Sequence, residues 1–323
     1  MKVIILAGGF ATRLWPLTEK TAKPLLLLAG KPLISWIIED LPQHLEVIVS
    51  TNAVFAKDFE RWREENFPER QIEIFVEDAF SESGKMGALF ATSCVIQELK
   101  IAKDILLLAG DNYFGFSLPE FLENFQKFPN DALLAAYDIR ETQRAKSFGV
   151  IVPQAGTEKI VKVFQEKPEQ PLSTLVSTGC FVIPQKLLPS LSSFAATSRD
   201  DLGKVFEHFL EQDKTIRYFS FIKEWFDIGS FSAYLAASKL LLKEKIVQEK
   251  AVEVSPDAQL SGSIFLGANT KIGRNVTLEN AIIFPDCRLE NCVIRNSVLG
   301  KGTVISGVDL EGKVIREESV LMR

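Results

Sequence analysis

The feature that most constrains the fold is a six-residue period in the C-terminal part of the chain. From about Ala251, apolar residues recur at every sixth position, and the register slips by one residue at Ile283 and again after Leu289. Such hexapeptide repeats are typical of a parallel β-helix, in which about three hexapeptides form one turn. We therefore predict about three turns. The repeating positions are Val254, Leu260, Leu266, Ile272 and Leu278.

Asparagines fall near the predicted corners of this repeat. Asparagine tolerates left-handed backbone better than other residues that carry a Cβ, because its short polar side chain can bond locally. We therefore predict that these residues turn the chain between strands. They are Asn269, Asn275, Asn280, Asn291 and Asn296.

Before the repeat, short apolar runs alternate with helical stretches, which predicts an α/β fold with a mostly parallel sheet. Residues 144–183 are richer in strands. A helix is predicted from about Asp200 to Glu211, and a long amphipathic helix from Ser230 to Gln248. Ligands of such sheets bind beyond the carboxyl ends of the strands. The predicted strands are Val3–Leu6, Val47–Ser50, Ile72–Val76, Ile105–Leu108 and Ala132–Tyr137, and the predicted helices between them are Leu33–Leu41, Lys57–Asn66 and Gly84–Leu99.

The N-terminal strand leads into a loop suited to a phosphate ligand. Gly8 and Gly9 allow backbone N–H groups to approach a ligand closely, and Arg13 and Lys23 supply positive charge. The sequence matches neither the P-loop motif nor the dinucleotide-binding motif. The loop therefore predicts phosphate binding by some other arrangement.

This loop resembles the signature of the sugar-1-phosphate nucleotidylyltransferases, L-A-G-G-x-G-T-R-L-x-P-L-T followed by K-P-L and G-K-P-L-I. The matching residues are Leu6–Thr18, 23–25 and 30–34. Ala11 replaces the third glycine of the signature and disfavours a positive φ there. The resemblance implies a Rossmann-like three-layer domain with a mostly parallel mixed sheet over 1–230 and a connecting helix over 231–250. Many relatives end in a left-handed β-helix, which here would span 251–323.

Three later segments extend the resemblance: L-x-G-D-N ending at Asn112, E-K-P at 166–168 and W-x-D-x-G-S at 225–230. By resemblance, Asp111 and Asp227 hold Mg²⁺, and Arg13, Lys23, Asp111, Lys167 and Asp227 carry catalysis. The resemblance also implies a nucleotide site at Leu6, Ala7, Gly8, Gly9, Ala11, Thr12, Arg13, Gly84 and Asp111. A sugar-phosphate site is implied at Asn112, Gly149, Glu166, Lys167, Ser177 and Thr178.

Taken alone, these residues have more ordinary interpretations. An Asp-Asn pair after a strand is commonly a turn, Asp227 could cap the helix that begins near Ser230, and a Glu-Lys pair is commonly a solvated surface feature. The segment from Gly84 to Ala88 resembles the part of the family that contacts the nucleobase, but its glycines could simply begin a helix. Their joint occurrence within the resemblance favours the functional interpretation.

The resemblance predicts an enzyme that joins a nucleoside triphosphate to a sugar 1-phosphate and releases pyrophosphate. Asp111-Asn112 favours a glucose-1-phosphate thymidylyl- or uridylyltransferase, and mannose-1-phosphate guanylyltransferase is the alternative. An additional acetyltransferase activity would need a histidine in the repeats, whereas the histidines are His44 and His208. A non-catalytic regulatory protein built from the same two modules is the remaining alternative, which retention of the five catalytic residues disfavours.

Composition limits the remaining classes. The chain has 323 residues, 46% of them hydrophobic and 24% charged, with a formal net charge of −5. This composition offers no basic surface for nucleic acid or for an anionic membrane. Four cysteines without C-x-x-C spacing indicate neither zinc nor a disulfide framework. We predict a cytoplasmic protein, with no membrane span, that forms a homo-oligomer through the β-helix or the catalytic domain.

Overall fold

The computed structural model describes residues 1–79, 81, 84 and 86–323. They divide into two compact units, Met1–Phe10 with Ile34–Asp227 and Ala11–Leu33 with Ile228–Arg323. No helix in the described ranges is long and apolar enough to cross a membrane. The described α-helices are α1 (Leu33–Asp40), α2 (Ala56–Asn66), α3 (Ala88–Glu98), α4 (Leu118–Gln126), α5 (Thr142–Ala145), α6 (Leu188–Ala195), α7 (Lys204–Glu211) and α8 (Phe231–Leu242).

The first unit is built on a mixed sheet in the order β10-β9-β11-β6-β1-β4-β5, with β8 pairing β11 and β12 pairing β8. The strands of the chain up to Asp227 are β1 (Lys2–Leu6), β2 (Leu27–Leu28), β3 (Lys31–Pro32), β4 (Glu46–Asn52), β5 (Ile72–Glu77), β6 (Ile105–Ala109), β7 (Asn112–Phe114), β8 (Ala132–Asp138), β9 (Gly149–Pro153), β10 (Val161–Glu166), β11 (Leu175–Ile183), β12 (Ile216–Phe221) and β13 (Trp225–Asp227). β2 and β3 lie in the second unit, and β7 pairs with β13.

The sheet forms where continuous apolar runs can be buried on both faces. β1, β4, β5 and β6 are parallel, whereas β8, β9, β10 and β11 pair with one another in antiparallel fashion. The core residues of β1 and β6, including Ile4 and Leu107, are completely buried. This arrangement confirms the predicted α/β fold and the change to antiparallel strands after residue 144.

Two helices begin later than predicted. α3 starts at Ala88 instead of Gly84, directly after Gly87, whose φ of 85° is incompatible with helix. α7 starts at Lys204 instead of near Asp200. Gly87 packs against Arg199, and Gly203 packs against Glu166. These are tertiary contacts that helix propensity does not register.

The second unit contains a stack of short parallel strands in three sheets of five, five and four strands. This stack agrees with the predicted left-handed β-helix. Its strands are β14 (Ile246–Gln248), β15 (Glu253–Val254), β16 (Gln259–Ser261), β17 (Ile264–Leu266), β18 (Lys271–Ile272), β19 (Val276–Glu279), β20 (Ile282–Ile283), β21 (Arg288–Glu290), β22 (Cys292–Arg295), β23 (Val298–Leu299), β24 (Val304–Ser306), β25 (Leu310–Glu311), β26 (Val314–Ile315) and β27 (Val320–Met322).

The stack has more turns than the three predicted. Along one sheet the paired positions are Glu253, Lys271, Arg288, Val304 and Val320, so successive turns take 18, 17, 16 and 16 residues. Turns of 17 and 16 residues are shorter than the 18 residues of three hexapeptides, so the six-residue period slips in the sequence. The later turns are therefore not recognised from that period. All five predicted corner asparagines adopt positive φ, between 46° and 59°.

The predicted helix from Ser230 to Gln248 is too long. α8 begins at Phe231 and ends at Leu242, and Ser230 caps its start because its Oγ accepts a hydrogen bond from Ala233 N–H. Lys243 and Glu244 have φ of 51° and 57°, and Ile246–Gln248 pairs with β17 as the first strand of the stack. Strand pairing therefore outweighs the helical pattern of this segment.

Residues 11–33 are integrated into the second unit. The Tyr234 hydroxyl of α8 donates a 2.5 Å hydrogen bond to the carbonyl of Leu27. Gly30 has a φ of 97°, and a Cβ there would lie 3.2 Å from the Phe265 ring. Glu19 forms an ion pair with Arg316, Nη2 to Oε2 2.9 Å. The segment after the glycine loop is therefore supported by α8 and the β-helix.

Candidate active site

The first part of the site is the loop that follows β1. Leu6 at the end of β1 lies opposite Ala109 at the end of the parallel strand β6. Gly110 N–H donates to Leu6 O at 2.9 Å, and a Cβ on Gly110 would lie 2.8 Å from the same oxygen. The loops carrying Gly8 and Asp111 therefore leave the same edge of the sheet, as predicted for a ligand site.

A buried carboxyl group that the sequence motifs did not predict supports the glycine loop. Glu77, at the end of β5, is 6% exposed, and a Cβ on Gly8 would lie 2.6 Å from its Oε1. Ser50 Oγ donates to Oε1 at 2.8 Å, and Asn52 Nδ2 donates to Gly8 O at 3.0 Å. Burial raises the pKa of Glu77, and the Ser50 hydrogen bond partly offsets this. Its position at the carboxyl end of a parallel strand was the available signal.

The second part of the site is the pair of strands β7 and β13, which carries the two predicted metal ligands. Asp227 on β13 pairs with Asn112 on β7, and Asn112 directly follows Asp111 in the sequence. Asn112 is 5% exposed, and its Nδ2 donates to Asp111 Oδ1 at 2.8 Å while its Oδ1 accepts from Trp225 Nε1 at 2.7 Å. The Asn112 amide therefore holds the Asp111 carboxylate, and the pairing of β13 with β7 places Asp227 opposite Asn112.

This donor set fits a divalent cation. Asp111 and Asp227 supply hard carboxylate oxygens, and Mg²⁺ commonly binds through one or two carboxylates together with water and substrate phosphates. Across the described part of the chain, no cluster of three or more His, Cys, Asp or Glu residues forms a metal cage. A cation held by these aspartates would therefore need further ligands from substrate or water.

Glu166, at the end of β10, occupies a closely packed site. Its carboxyl group lies against two glycines, since a Cβ on Gly149 would lie 3.1 Å from Oε2 and a Cβ on Gly203 would overlap Oε2. Its backbone N–H donates to Glu207 Oε1 at 2.7 Å. Burial raises the pKa of Glu166, and the neighbouring Lys167 charge partly offsets this. Gly203 and Glu207 were not predicted as parts of the site.

Lys167 has an unusual backbone conformation for a lysine. Its φ is 45°, and its N–H donates to Phe148 O at 3.1 Å. Its ammonium lies 3.5 Å from Glu166 Oε1 and 3.4 Å from Asp201 Oδ1. Left-handed backbone costs about 1–2 kcal/mol for a residue other than glycine, and such strain concentrates at functional sites.

The two hydroxyl residues of β11 have different environments. Thr178 is buried and its Oγ1 donates to Ala135 O at 3.1 Å. Ser177 Oγ is also buried, and among the described residues it has no hydrogen-bond partner. Gly179 follows with a φ of 77°. At the predicted sugar-binding positions, the Thr178 hydroxyl is therefore already hydrogen-bonded within the protein, whereas the Ser177 hydroxyl has no hydrogen-bond partner among the described residues.

The remaining predicted cations, Arg13 and Lys23, belong to the second unit. Ala11 adopts left-handed backbone, with φ 50° and ψ 41°, directly before a 3-10 turn over Thr12–Leu14. Its carbonyl accepts a 2.8 Å hydrogen bond from Thr18 Oγ1. Arg13 is exposed, whereas Lys23 is buried in the 3-10 turn Lys23–Leu25. Position 11 thus requires the positive φ that alanine disfavours.

The predicted nucleobase segment is described only in part. Gly84 is exposed, and its N–H donates to Ser81 O at 3.0 Å. The segment precedes α3, whose first residue is Ala88. The predicted contacts around Ser83 and Lys85 lie outside the described residues, as do Phe80 and Glu82.

The candidate site thus combines a glycine loop at the edge of the parallel sheet, Asp111 and Asp227 at the paired strands β7 and β13, and a Glu-Lys segment. A family profile described as nucleotidyl transferase matches residues 2–244. The chain therefore belongs to the nucleotidyl transferase family and is an enzyme of that class, which confirms the resemblance drawn from its sequence.

Relatives and a solved structure agree with this assignment. A putative mannose-1-phosphate guanyltransferase of Sulfolobus acidocaldarius is 27% identical over 288 residues, covering 88% of this chain and 76% of the relative. The bifunctional protein GlmU of Methanocaldococcus jannaschii is 27% identical over 82% of this chain and 60% of its own length. A crystal structure of a putative glucose-1-phosphate thymidylyltransferase from Bacillus anthracis shares the fold, with TM-score 0.65, 22% identity, and coverage of 74% of this chain and 94% of that one.

Proposed function

We propose that this enzyme transfers the nucleotidyl group of a nucleoside triphosphate to a sugar 1-phosphate. The observation that carries the proposal is the placement of Asp111 directly before β7 and of Asp227 on the paired strand β13, since Asp111 follows the same sheet edge as the glycine loop. Two carboxylates beside backbone N–H donors suit a triphosphate accompanied by a cation. The strained Lys167 beside Glu166 supplies a separate positive charge for a second phosphate.

In the proposed reaction, an oxygen of the sugar phosphate forms a bond to the α-phosphorus of the triphosphate. The bond between the α-phosphorus and the bridging oxygen breaks, and pyrophosphate leaves with its electron pair. A phosphate monoester is anionic near neutral pH, so no protein nucleophile or general base is required. The protein contributes positioning and charge neutralisation.

The residues divide this work between the two substrates. Lys167 pairs with the sugar phosphate, and Glu166 accepts hydrogen bonds from sugar hydroxyls. Arg13 neutralises the leaving pyrophosphate, and Lys23 acts on the α-phosphate region. Backbone groups at Gly8 and its neighbours bind the triphosphate. Asp111 and Asp227 would hold Mg²⁺, which when bound neutralises phosphate charge.

The preferred substrates in this proposal are glucose 1-phosphate with dTTP or UTP. Mannose 1-phosphate with GTP is the second candidate, favoured by the name of the Sulfolobus relative. Pyrophosphate release would be measured for dTTP, UTP, GTP, ATP and CTP with glucose, mannose and N-acetylglucosamine 1-phosphates. Fastest turnover with a glucose pair supports the first candidate, and fastest turnover with mannose 1-phosphate and GTP supports the second. No turnover with any pair would refute the proposed function.

Single substitutions test the assignment of residues. Asp111→Asn and Lys167→Ala are each expected to lower turnover by about a hundredfold, the scale of removing a preorganised charge contact. Asp58→Asn on α2 and Lys162→Ala on β10 are matched controls, because each changes the same residue type at an exposed or partly exposed position. Turnover near the wild-type value in Asp111→Asn or Lys167→Ala would reject the corresponding assignment.

A further inference from the structure

The loop between α6 and α7 approaches Lys167 although it lies more than thirty positions later in the sequence. Asp201 Oδ1 is 3.4 Å from the Lys167 ammonium, and Asp201 Oδ2 is 2.8 Å from the Lys204 ammonium. Asp201 therefore connects the predicted sugar-phosphate lysine to the start of α7. Its hydrogen bond with Lys204, together with the Lys167 charge, lowers the pKa of Asp201.

The loop is fixed on the side away from Lys167. The carbonyl of Arg199 accepts hydrogen bonds from the N–H groups of Leu89 and Phe90, both at 3.1 Å, in the first turn of α3. The Arg199 guanidinium carbon lies 4.4 Å from the centre of the Phe90 ring. A Cβ on Gly87 would lie 2.5 Å from the Arg199 carbonyl oxygen. The start of α3 and the loop are therefore packed in direct contact.

The loop is also fixed on the side facing β10. Gly203 lies so close to Glu166 that a Cβ there would overlap the carboxyl oxygen. One turn into α7, Glu207 Oε1 accepts the Glu166 N–H at 2.7 Å. With both ends anchored, the position of Asp201 relative to Lys167 is defined by the fold.

Stability alone does not explain the contact between Asp201 and Lys167. The two side chains are 34% and 56% exposed, and ion pairs with that exposure contribute at most about 1 kcal/mol. The contact does restrict a long side chain with several rotatable bonds. Ordering such a side chain in advance lowers the entropy cost of binding a phosphate.

We propose that Asp201 is a positioning residue that holds the Lys167 ammonium at the sugar-phosphate site. This inference rests on the proposed function, in which Lys167 binds the phosphate of the acceptor. Asp201 does not itself contact substrate. It acts through Lys167, and the loop that carries it is set by α3 and β10.

Steady-state kinetics of Asp201→Ala test the inference, using whichever of glucose 1-phosphate and mannose 1-phosphate turns over faster with its triphosphate. We expect the KM for the sugar 1-phosphate to rise about tenfold, with kcat and the KM for the triphosphate changed by less than about twofold, because uniform binding of one substrate is lost. Asp201→Asn retains the shape and an acceptor oxygen, so it should recover part of the affinity.

A double substitution separates positioning from general structural damage. In a Lys167→Ala background, Asp201→Ala should have no further effect on the KM for the sugar 1-phosphate, because its only route of action is gone. Lys204→Ala is the matched control: it removes the exposed ion pair of Asp201 with α7 and should change this KM by less than about twofold.

Several outcomes would overturn the inference while leaving the proposed function intact. These are an unchanged or lowered KM in Asp201→Ala, or a KM effect that persists without Lys167. If the wild-type protein turns over no sugar 1-phosphate, the proposed function has failed instead. Crystal structures of the wild type and of Asp201→Ala test the positioning directly. We expect one conformation of the Lys167 side chain in the wild type and several in the variant. The same single conformation in both would refute the inference.

Discussion

Left-handed backbone occurs both in the β-helix and beside the candidate site, but different residues adopt it. In the β-helix, positive φ angles occur at five asparagines, at Asp286, at four glycines and, near the two ends, at Ala251 and Glu318. Asn275 Nδ2 donates to Asn291 Oδ1 of the next turn at 3.0 Å. Beside the site the same conformation belongs to Lys167, between Glu166 and Pro168. The β-helix thus uses mainly asparagine and glycine, which suit this backbone conformation, whereas beside the site a lysine adopts it.

This difference distinguishes a structural requirement from a functional one. A repeated corner can be occupied by whichever residue has the lowest backbone cost, and asparagine also adds a hydrogen bond between turns. Where the site requires an ammonium group, the lysine adopts the strained backbone conformation, and contacts with surrounding residues maintain that conformation.

Gly203→Ala should lower turnover by about a hundredfold, equivalent to about 2.7 kcal/mol in the transition state. Its Cβ would overlap Glu166 Oε2, so the carboxyl group must leave the position between Gly149 and Gly203. Pyrophosphate release and thermal unfolding would be measured together. Retention of more than a tenth of wild-type turnover would show that this close packing is not required.

Gly262→Ala is the matched change in the β-helix. Gly262 has a φ of 73°, and its Cβ would lie 2.5 Å from Asn280 Oδ1. We expect a lower free energy of unfolding with turnover unchanged. A comparable loss of activity in this variant would remove the contrast between the two regions.

Asn275→Ala should lower the free energy of unfolding by about 1–2 kcal/mol, because alanine is disfavoured at the φ of 52° and the hydrogen bond to Asn291 is lost. Asn275→Gly should lose less, since glycine accepts the conformation. Urea unfolding of the three proteins measures the difference. Equal destabilisation by alanine and glycine would exclude the backbone explanation.

Lys167→Gly and Lys167→Ala should be equally impaired in turnover, yet the glycine variant should be more stable by about 1 kcal/mol. Both remove the ammonium group, but only glycine relieves the strain at φ 45°. Paired unfolding measurements test this. If the alanine variant is the more stable of the two, Lys167 is not strained.

Glu77→Gln should stabilise the protein at neutral pH by about 1 kcal/mol, the scale of one buried polar group. Because burial raises the pKa of Glu77 in the folded state, the wild type loses stability as pH rises through the interval between its unfolded and folded pKa values. The advantage of the glutamine variant should therefore be small at pH 4 and grow with pH until it levels off. A difference independent of pH would contradict this origin.

Ala11→Gly should raise the free energy of unfolding by about 0.5 kcal/mol. Relief of the left-handed alanine is worth about 1–2 kcal/mol, and the extra freedom of glycine in the unfolded chain offsets part of it. Ala29→Gly is the matched change for Ala11→Gly, because it makes the same substitution at a second alanine with positive φ, 52°. Destabilisation by Ala11→Gly would show that this loop is not strained.

Several elements of the site could be predicted because their residues form local motifs. Asp111 follows a buried strand, the Glu166-Lys167 pair precedes a proline, and the glycine loop follows the first strand. Asp201 and Gly203 could not be found in this way, and the only signal for Glu77 was its position at the end of a parallel strand. Each acts on a partner more than thirty residues distant, and nothing in its own neighbourhood differs from an ordinary surface or strand end.

The sequence by itself determined the α/β fold of the first unit and the parallel stack of the second, because both depend on periodic burial of apolar residues. It also determined the left-handed corners, since each asparagine meets a local backbone requirement. Only the tertiary structure decided how many turns the stack makes, where α8 ends and which loop holds Lys167. Those features depend on pairing between distant segments, whose free energy outweighs the local preferences that a sequence displays.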